Sequence, residues 1–412
     1  MAKINKEKEV TKKPLKKGIG QFNLVGELKL NDFTFKIDEQ SKTSDWVYNV
    51  LNLGVDCGNG NVVYAEMSGG YGAERQNQLF VHGVKEDDKK KKTDDWDNRF
   101  TIDWDDREDE DILETIGDNC FLKVGIEKQV NKKQESTFVK KFLSGYDAIA
   151  YMQEHLTDGM VVNVKGDLQF STYNDNIQIK KVIKSIFLSK ATPDKYKATF
   201  TQTMILDKDS LGKLDKEKAI YPLSVRVIDY CKMWGETEIK QNVPLNATFE
   251  IEVDKVNPSN TKKFIDMITK KSKKDLTEII FEGDIVEGQA VTTITDEDIP
   301  EDIMELIEMG VYSREDAIGK MAIKGSREKR MIIRRPLIKM VGEEDAKKPM
   351  ICIEEAKYKE EDMIFDFMIE SDDEEDVEIE IVEDSTDSDV NEENNEEDTD
   401  DNAWLTALDE DE

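Results

Sequence analysis

Three aromatic residues, Trp46, Tyr48 and Tyr64, stand where a sequence pattern leaves them free to bind something flat. In DWVYNVLNLGV, Val47, Leu51, Leu53 and Val55 share one face of a strand, and Trp46 and Tyr48 fall on the other. In VVYAEM the aliphatic face holds Val63, Ala65 and Met67, and Tyr64 lies opposite. Any nucleobase can stack on an exposed aromatic ring, for about 1–3 kcal/mol per base and with little sequence choice. Phosphates would need cations, and Lys165, Lys180, Lys181 and Lys184 cluster in one later stretch, while Tyr71 and Arg75 flank the end of a glycine-rich loop, Ser68–Gly72. The competing use of Trp46 and Tyr48 is to fill a second small cluster under the insertion that follows.

The element that must position these groups is Gly159–Leu188, GMVVNVKGDLQFSTYNDNIQIKKVIKSIFL. Val162, Val164, Leu168 and Phe170 alternate with polar residues, Tyr173–Asn176 supplies a turn, and Ile177 and Ile179 begin a second strand with a basic side. A helical pattern, Gly145–Leu156, comes immediately before. Helix followed by hairpin is the closing step of the five-stranded Greek-key barrel called the OB-fold. With strands at Gly20–Leu30, Asp45–Val55, Val62–Met67 and Cys120–Gln129, this predicts an OB-fold binding module over residues 20–190, with a mixed-charge insertion at 85–117.

A weaker echo follows. Phe200–Leu206, Ser224–Met233 and Thr248–Val256 read as strands, Asn260–Lys270 as a helix and Glu278–Glu287 as a strand, so order repeats. VKGDL (Val164–Leu168) and FEGDI (Phe281–Ile285) occupy equivalent places after their helices, each an aliphatic strand interrupted by Gly-Asp. A glycine there permits a bulge or a tight bend. The pattern predicts a second OB-like module over 198–295. Residues 299–340 read as a helical appendage and a basic strand carrying Arg327, Arg330, Arg334 and Arg335, which meet either nucleic acid or acidic loops of the same chain.

Charge divides the chain unevenly. Its net value is -33, but residues 370–412 hold 23 acidic and no basic residues, which leaves 58 basic against 68 acidic in the rest. Residues 1–19 form a lysine-rich arm and 370–412 a disordered acidic tail ending in an apolar tip with Trp404, Leu405 and Leu408. No apolar run is long enough to span a membrane and no signal peptide follows the basic start, so the expected location is the cytoplasm. Four dispersed cysteines and two histidines share no metal-ligand spacing, so no metal or other cofactor is expected. Asp103, Asp105 and Asp106 could hold Mg²⁺, but a solvated loop is the simpler reading.

With its off-core aromatics Trp46, Tyr48 and Tyr64, basic strands and acidic tail with an apolar tip, the chain resembles the single-stranded DNA-binding proteins of bacteriophage replication, and more loosely bacterial SSB. The resemblance covers the first module and the tail and implies an OB-like barrel there. With the repeated pattern of the second module, the expected fold is mainly β: two OB-like Greek-key barrels with short helices, a small helical appendage and a disordered acidic tail. The resemblance also implies a non-enzymatic protein that coats single-stranded DNA in replication and recombination, in the host cytoplasm if viral, and recruits partner proteins through Trp404, Leu405 and Leu408. A homo-oligomer is compatible with it. Two other classes compete: a metal-dependent nuclease or other phosphoryl-transfer enzyme built on the acidic insertion, and an acidic chaperone or DNA mimic whose tail binds basic proteins. Against the enzyme, the chain has no P-loop, nucleophile elbow or HExxH.

Overall fold

A computed structural model describes residues 14–368, apart from 87–90, 132–133, 174–175, 236, 273–274, 292–298, most of 300–323, and 343–346. The basic arm up to residue 13, the centre of the Tyr173–Asn176 turn, most of the helical appendage, and the acidic tail with Trp404, Leu405 and Leu408 lie outside the described residues.

The first half runs β1 (Gly20–Lys29), β2 (Phe35–Gln40), β3 (Trp46–Asp56), β4 (Val62–Gly72), β5 (Gln78–Glu86), β6 (Lys92–Asp103), α1 (Glu110–Leu113), β7 (Leu122–Asn131), β8 (Gln134–Phe142), α2 (Gly145–His155), β9 (Val161–Tyr173) and β10 (Asn176–Leu188). The second half runs β11 (Lys197–Leu206), β12 (Ile220–Trp234), β13 (Thr237–Glu252), α3 (Pro258–Lys271), β14 (Leu276–Val291), β15 (Lys324–Pro336), β16 (Ile338–Val341), β17 (Lys348–Ile351) and β18 (Ile353–Tyr358). The fold is mainly β with few helices.

Alternation builds the strands. Phe22, Leu24 and Leu28 of β1, and Leu51, Leu53 and Val55 of β3, are all buried in one hydrophobic cluster. Helix α2 begins at the Ser144 cap, whose side chain accepts from the Tyr146 amide, and buries Ala148, Ile149 and Met152 against the same core. Truncating Met152 to Ala would cost about 2–5 kcal/mol, because the close-packed strands around it leave a cavity.

Pairing closes two five-stranded barrels. In the first, β1 pairs β3, β3 pairs β4, β4 pairs β10 in parallel, β10 pairs β9 and β9 returns to β1. In the second, β11, β12, β13, β15 and β14 close in the same order, again with one parallel pair, β13–β15. Each has its helix, α2 or α3, just before its fourth strand. This is OB-like Greek-key closure, built twice.

The two barrels join through the antiparallel β1–β11 pair, where Phe22 faces Phe200. On its other side Phe22 faces Gly166 of β9, and Phe200 faces Gly283 of β14. A Cβ on Gly166 would strike the Val182 carbonyl and the Phe22 ring; one on Gly283 would strike the Ile332 carbonyl and the Phe200 ring. The repeated Gly-Asp is therefore one structural position used twice. An ion pair repeats as well, Lys180 with Glu66 at 3.6 Å across the first parallel pair and Arg330 with Glu250 at 2.5 Å across the second.

Each barrel also docks a strand end on the other. Asn61, in the β3–β4 turn, donates to the Ile285 carbonyl at 2.9 Å and accepts from the Glu287 amide at 2.8 Å. Reciprocally, buried Asp229 of β12 accepts from the Phe170 amide of β9 at 2.8 Å and from Lys17 at 2.5 Å. The β3–β4 turn can approach this closely because Gly58, Asn59 and Gly60 all adopt positive φ, of 91°, 56° and 74°.

The insertion has a fold of its own, with Asp103, Asp105 and Asp106 exposed on it. β5 and β6 form a hairpin whose Val81 and Ile102 join Ile116 and Phe121 in a small core of their own. Three arginines of β15 also have partners: Arg330 with Glu250 and Glu252, Arg334 with Glu252 and Asp284, Arg335 with Glu282; the side chain of Arg327 lies outside those described. Those carboxylates lie on neighbouring strands of the same barrel, β13 and β14.

Candidate nucleic-acid interface

The outer face of β3 and β4 carries the three predicted aromatics, and each stands across from a glycine: Trp46 from Gly72, Tyr48 from Gly70 and Tyr64 from Gly54. A glycine leaves room for the neighbouring ring to lie over the backbone, and a Cβ on Gly54 would come 3.2 Å from the Tyr64 ring. Trp46 is 37% exposed, and the Arg75 guanidinium sits 5.7 Å from its ring centroid while donating to Asp45 at 2.8 Å. Tyr48 and Tyr64 are half-buried. The face thus offers rings with cations beside them, Arg75 at one end and Lys180, near Glu66, in the middle.

Tyr71 is placed differently. Residues 68–72 complete strand β4 instead of forming a flexible loop, and Tyr71 lies opposite Val47, on the face away from Trp46. Its ring stacks on Trp104 at 5.2 Å and meets Tyr146 edge-on at 5.3 Å. The guanidinium of Arg107 lies 4.2 Å over Trp104 and bonds both carboxylate oxygens of Asp147, at 2.8 and 3.1 Å. Tyr71 therefore belongs to the clamp that fixes the insertion to α2.

Lys181 also departs from the expected basic face. It is buried, and its ammonium is committed to Glu287 at 2.6 Å. Lys165 and Lys184 remain exposed, on β9 and β10.

A cluster in the insertion has the residue types of a thiol hydrolase. Cys120 Sγ lies 3.1 Å from His82 Nδ1, and His82 Nε2 lies 3.2 Å from Asp94 Oδ2. Burial pushes the Cys120 thiol up, so it stays protonated near neutral pH, and Trp96 stacks on the imidazole at 4.1 Å. Burial alone would raise Asp94, but hydrogen bonds from His82 and the Asn119 and Asp118 amides outweigh it and hold the carboxyl low. The cluster ties β5 to the turn before β7. Among the described residues no group of three or more His, Cys, Asp and Glu is arranged to hold a metal ion, and no helix is long and apolar enough to cross a membrane.

Residues 81–307, more than half of the 412, match the family described as YorF. The chain belongs to the YorF family. No curated protein matches it. Among solved structures, the YorF-family chain is similar to the wild-type single-stranded DNA binding protein from Thermus aquaticus, at 10% identity and a TM-score of 0.31, over 80% of this chain and 98% of that one. A deletion mutant of that protein gives 9% and 0.29, over 80% and 99%.

Several exposed aromatics of this YorF-family chain stand outside the predicted set: Phe80 at 87%, Phe33 at 64% and Trp96 at 56%. Phe80 has a sequence signal, since in QLFVHGV it sits between Leu79 and Val81, off the apolar side of β5.

Proposed function

We propose that this protein binds single-stranded DNA on the outer face of β3 and β4, without catalysis and with little sequence choice. Bases stack on Trp46, Tyr48 and Tyr64, and phosphates meet Arg75, Lys180, Lys165 and Lys184. The observation that carries this reading is the repeated opposition of an off-core aromatic to a glycine along one strand pair, with cations alongside.

The first barrel is the binding one. Glu66 and Glu250 hold equivalent places, so the position of Tyr64, two residues earlier, is taken in the second barrel by Thr248, opposite Ser224. Arg330, Arg334 and Arg335 of β15 pair with carboxylates of their own barrel, whereas Lys165 and Lys184 of the first make no ion pair among the described residues. The second barrel acts as structural partner to the first.

The role is that of a coat on exposed strands during phage replication or recombination. The acidic C-terminal segment recruits partner proteins, with Trp404, Leu405 and Leu408 at helical spacing for a partner's groove. Titration of the full chain with labelled oligothymidine, matched duplex and matched RNA at several salt concentrations tests the reading. Preference for the single DNA strand, with affinity falling as salt rises, is expected; equal affinity for duplex at moderate salt overturns it.

A further inference from the structure

The seam between the barrels holds a groove of about 340 Å³ on the outer face of β9, β1 and β11. Its floor is set by register: Asn23 lies between Lys165 and Thr199, and Gln21 between Asp167 and Thr201. Lys184, displaced by a bulge between Ile183 and Ser185, borders the same groove.

Two features give the groove a chemistry. Lys165 and Lys184 are exposed, and neither makes an ion pair among the described residues. Across the seam the charges are cancelled, Asp284 by Arg334 and Glu282 by Arg335. Among the described residues the unpaired cations nearest the groove are therefore Lys165 and Lys184 on the β9–β10 side and, two residues from Thr199 on β11, Lys197, with the carboxylate of Asp167 on β9 as partial offset. Beside it, Asn23 Oδ1 is buried without a hydrogen-bond partner. A buried acceptor left unpaired is costly, so it calls for a donor. The neighbouring Thr199 hydroxyl does not supply it, because it donates to the Asn23 backbone carbonyl at 3.3 Å.

We infer that the seam groove holds one nucleotide unit of the bound strand, its phosphate against Lys165 and Lys184 and a base N–H donating to Asn23 Oδ1 once that side chain rotates out into the groove. The volume suits such a ligand, at the small end of the range for built sites. The inference rests on the single-strand reading above. It adds a binding position remote from Trp46, because Asn23 lies beyond the stretch of β1 that pairs with β3, Glu27–Lys29.

The test uses the full chain and a fluorescein-labelled oligothymidine of about 20 nucleotides, longer than one barrel covers. Lys165→Ala with Lys184→Ala should lower the log–log salt slope by about 0.7, because the one phosphate that the two lysines share is no longer neutralised. Asn23→Leu should weaken binding roughly two- to tenfold at every salt concentration, as expected for one hydrogen bond. Photo-crosslinking with 5-iododeoxyuridine should label peptides containing Gln21–Asn23. If the lysine variant keeps the wild-type slope while Trp46→Ala weakens binding, the seam assignment fails together with the Lys165 and Lys184 contacts, and single-strand binding on the Trp46 face stands. If the wild-type chain binds no oligonucleotide, both fail.

Discussion

Lys181 of β10 and Glu287 of β14 form an ion pair between the barrels, 2.6 Å from Nζ to Oε1, with side chains only 9% and 10% exposed. The second carboxylate oxygen accepts from the Tyr64 amide at 3.3 Å. A charge left alone at such a place costs far more than the pair is worth. Lys181→Met or Glu287→Gln alone should therefore destabilise the protein by about 3–5 kcal/mol, and the double variant should recover most of the loss. Urea unfolding of the three variants checks this; equal losses in single and double variants would speak against a coupled pair.

Gly166 and Gly283 should be equally intolerant of a side chain. In each, the added methyl meets a carbonyl oxygen on the parallel-paired strand and the ring of Phe22 or Phe200, at 2.9 and 2.6 Å to the nearest ring carbon. Gly166→Ala and Gly283→Ala should each cost about 1–3 kcal/mol by overpacking, measured by thermal or urea unfolding. A neutral substitution at either would show that the strand shifts freely there.

Much of this architecture is legible in the sequence, because alternation survives wherever a strand has one buried face. The aliphatic residues of β1, β3, β9 and β14, helix α2 and the paired Gly-Asp can be read directly. The burial of Lys181 has a signal too, though the basic run around it hides it: Ile177, Ile179, Lys181 and Ile183 share one parity, which puts the lysine on the apolar side of β10. Glu287 follows Ile279, Phe281, Gly283 and Ile285 in the same way. Two charged residues on apolar faces are a sequence signal for a buried pair. Hairpin β5–β6 is hidden because its own core is small and its strands carry many charges, as in KTDDWDNRFTID. Tyr71 is misplaced by pattern alone because glycine-rich runs read as loops, whereas here they continue β4.

Stability should fall in alkali. Burial, aided by the charges of Asp56 and Glu287 and opposed by a backbone hydrogen bond to Val25, pushes the Cys57 thiol up to about 12. The unfolded chain loses this proton near the ordinary thiol value of about 8.5. The folded form keeps it, so the contribution is complete below that pH and is lost between there and about 12. Urea midpoints at mildly and strongly alkaline pH should drop more for the wild type than for Cys57→Ala. Parallel drops would remove Cys57 as the cause.

The division of labour between the barrels predicts that one of two charge changes alters binding and the other does not. Arg75→Ala, beside Trp46, should weaken oligothymidine binding and reduce its salt slope by about 0.7. Arg335→Ala, paired with Glu282 on the second barrel, should leave the slope unchanged. Fluorescence anisotropy at several salt concentrations separates the two.

The most direct test of stacking on the outer face of β3 and β4 is the affinity of Trp46→Ala, Tyr48→Ala and Tyr64→Ala for oligothymidine at fixed salt, with unfolding curves taken alongside. Each should lose about 1–3 kcal/mol of binding while keeping the native unfolding transition. Wild-type affinity in all three, or unfolding with no loss of affinity in the molecules still folded, would contradict the assignment of this face to single-stranded DNA.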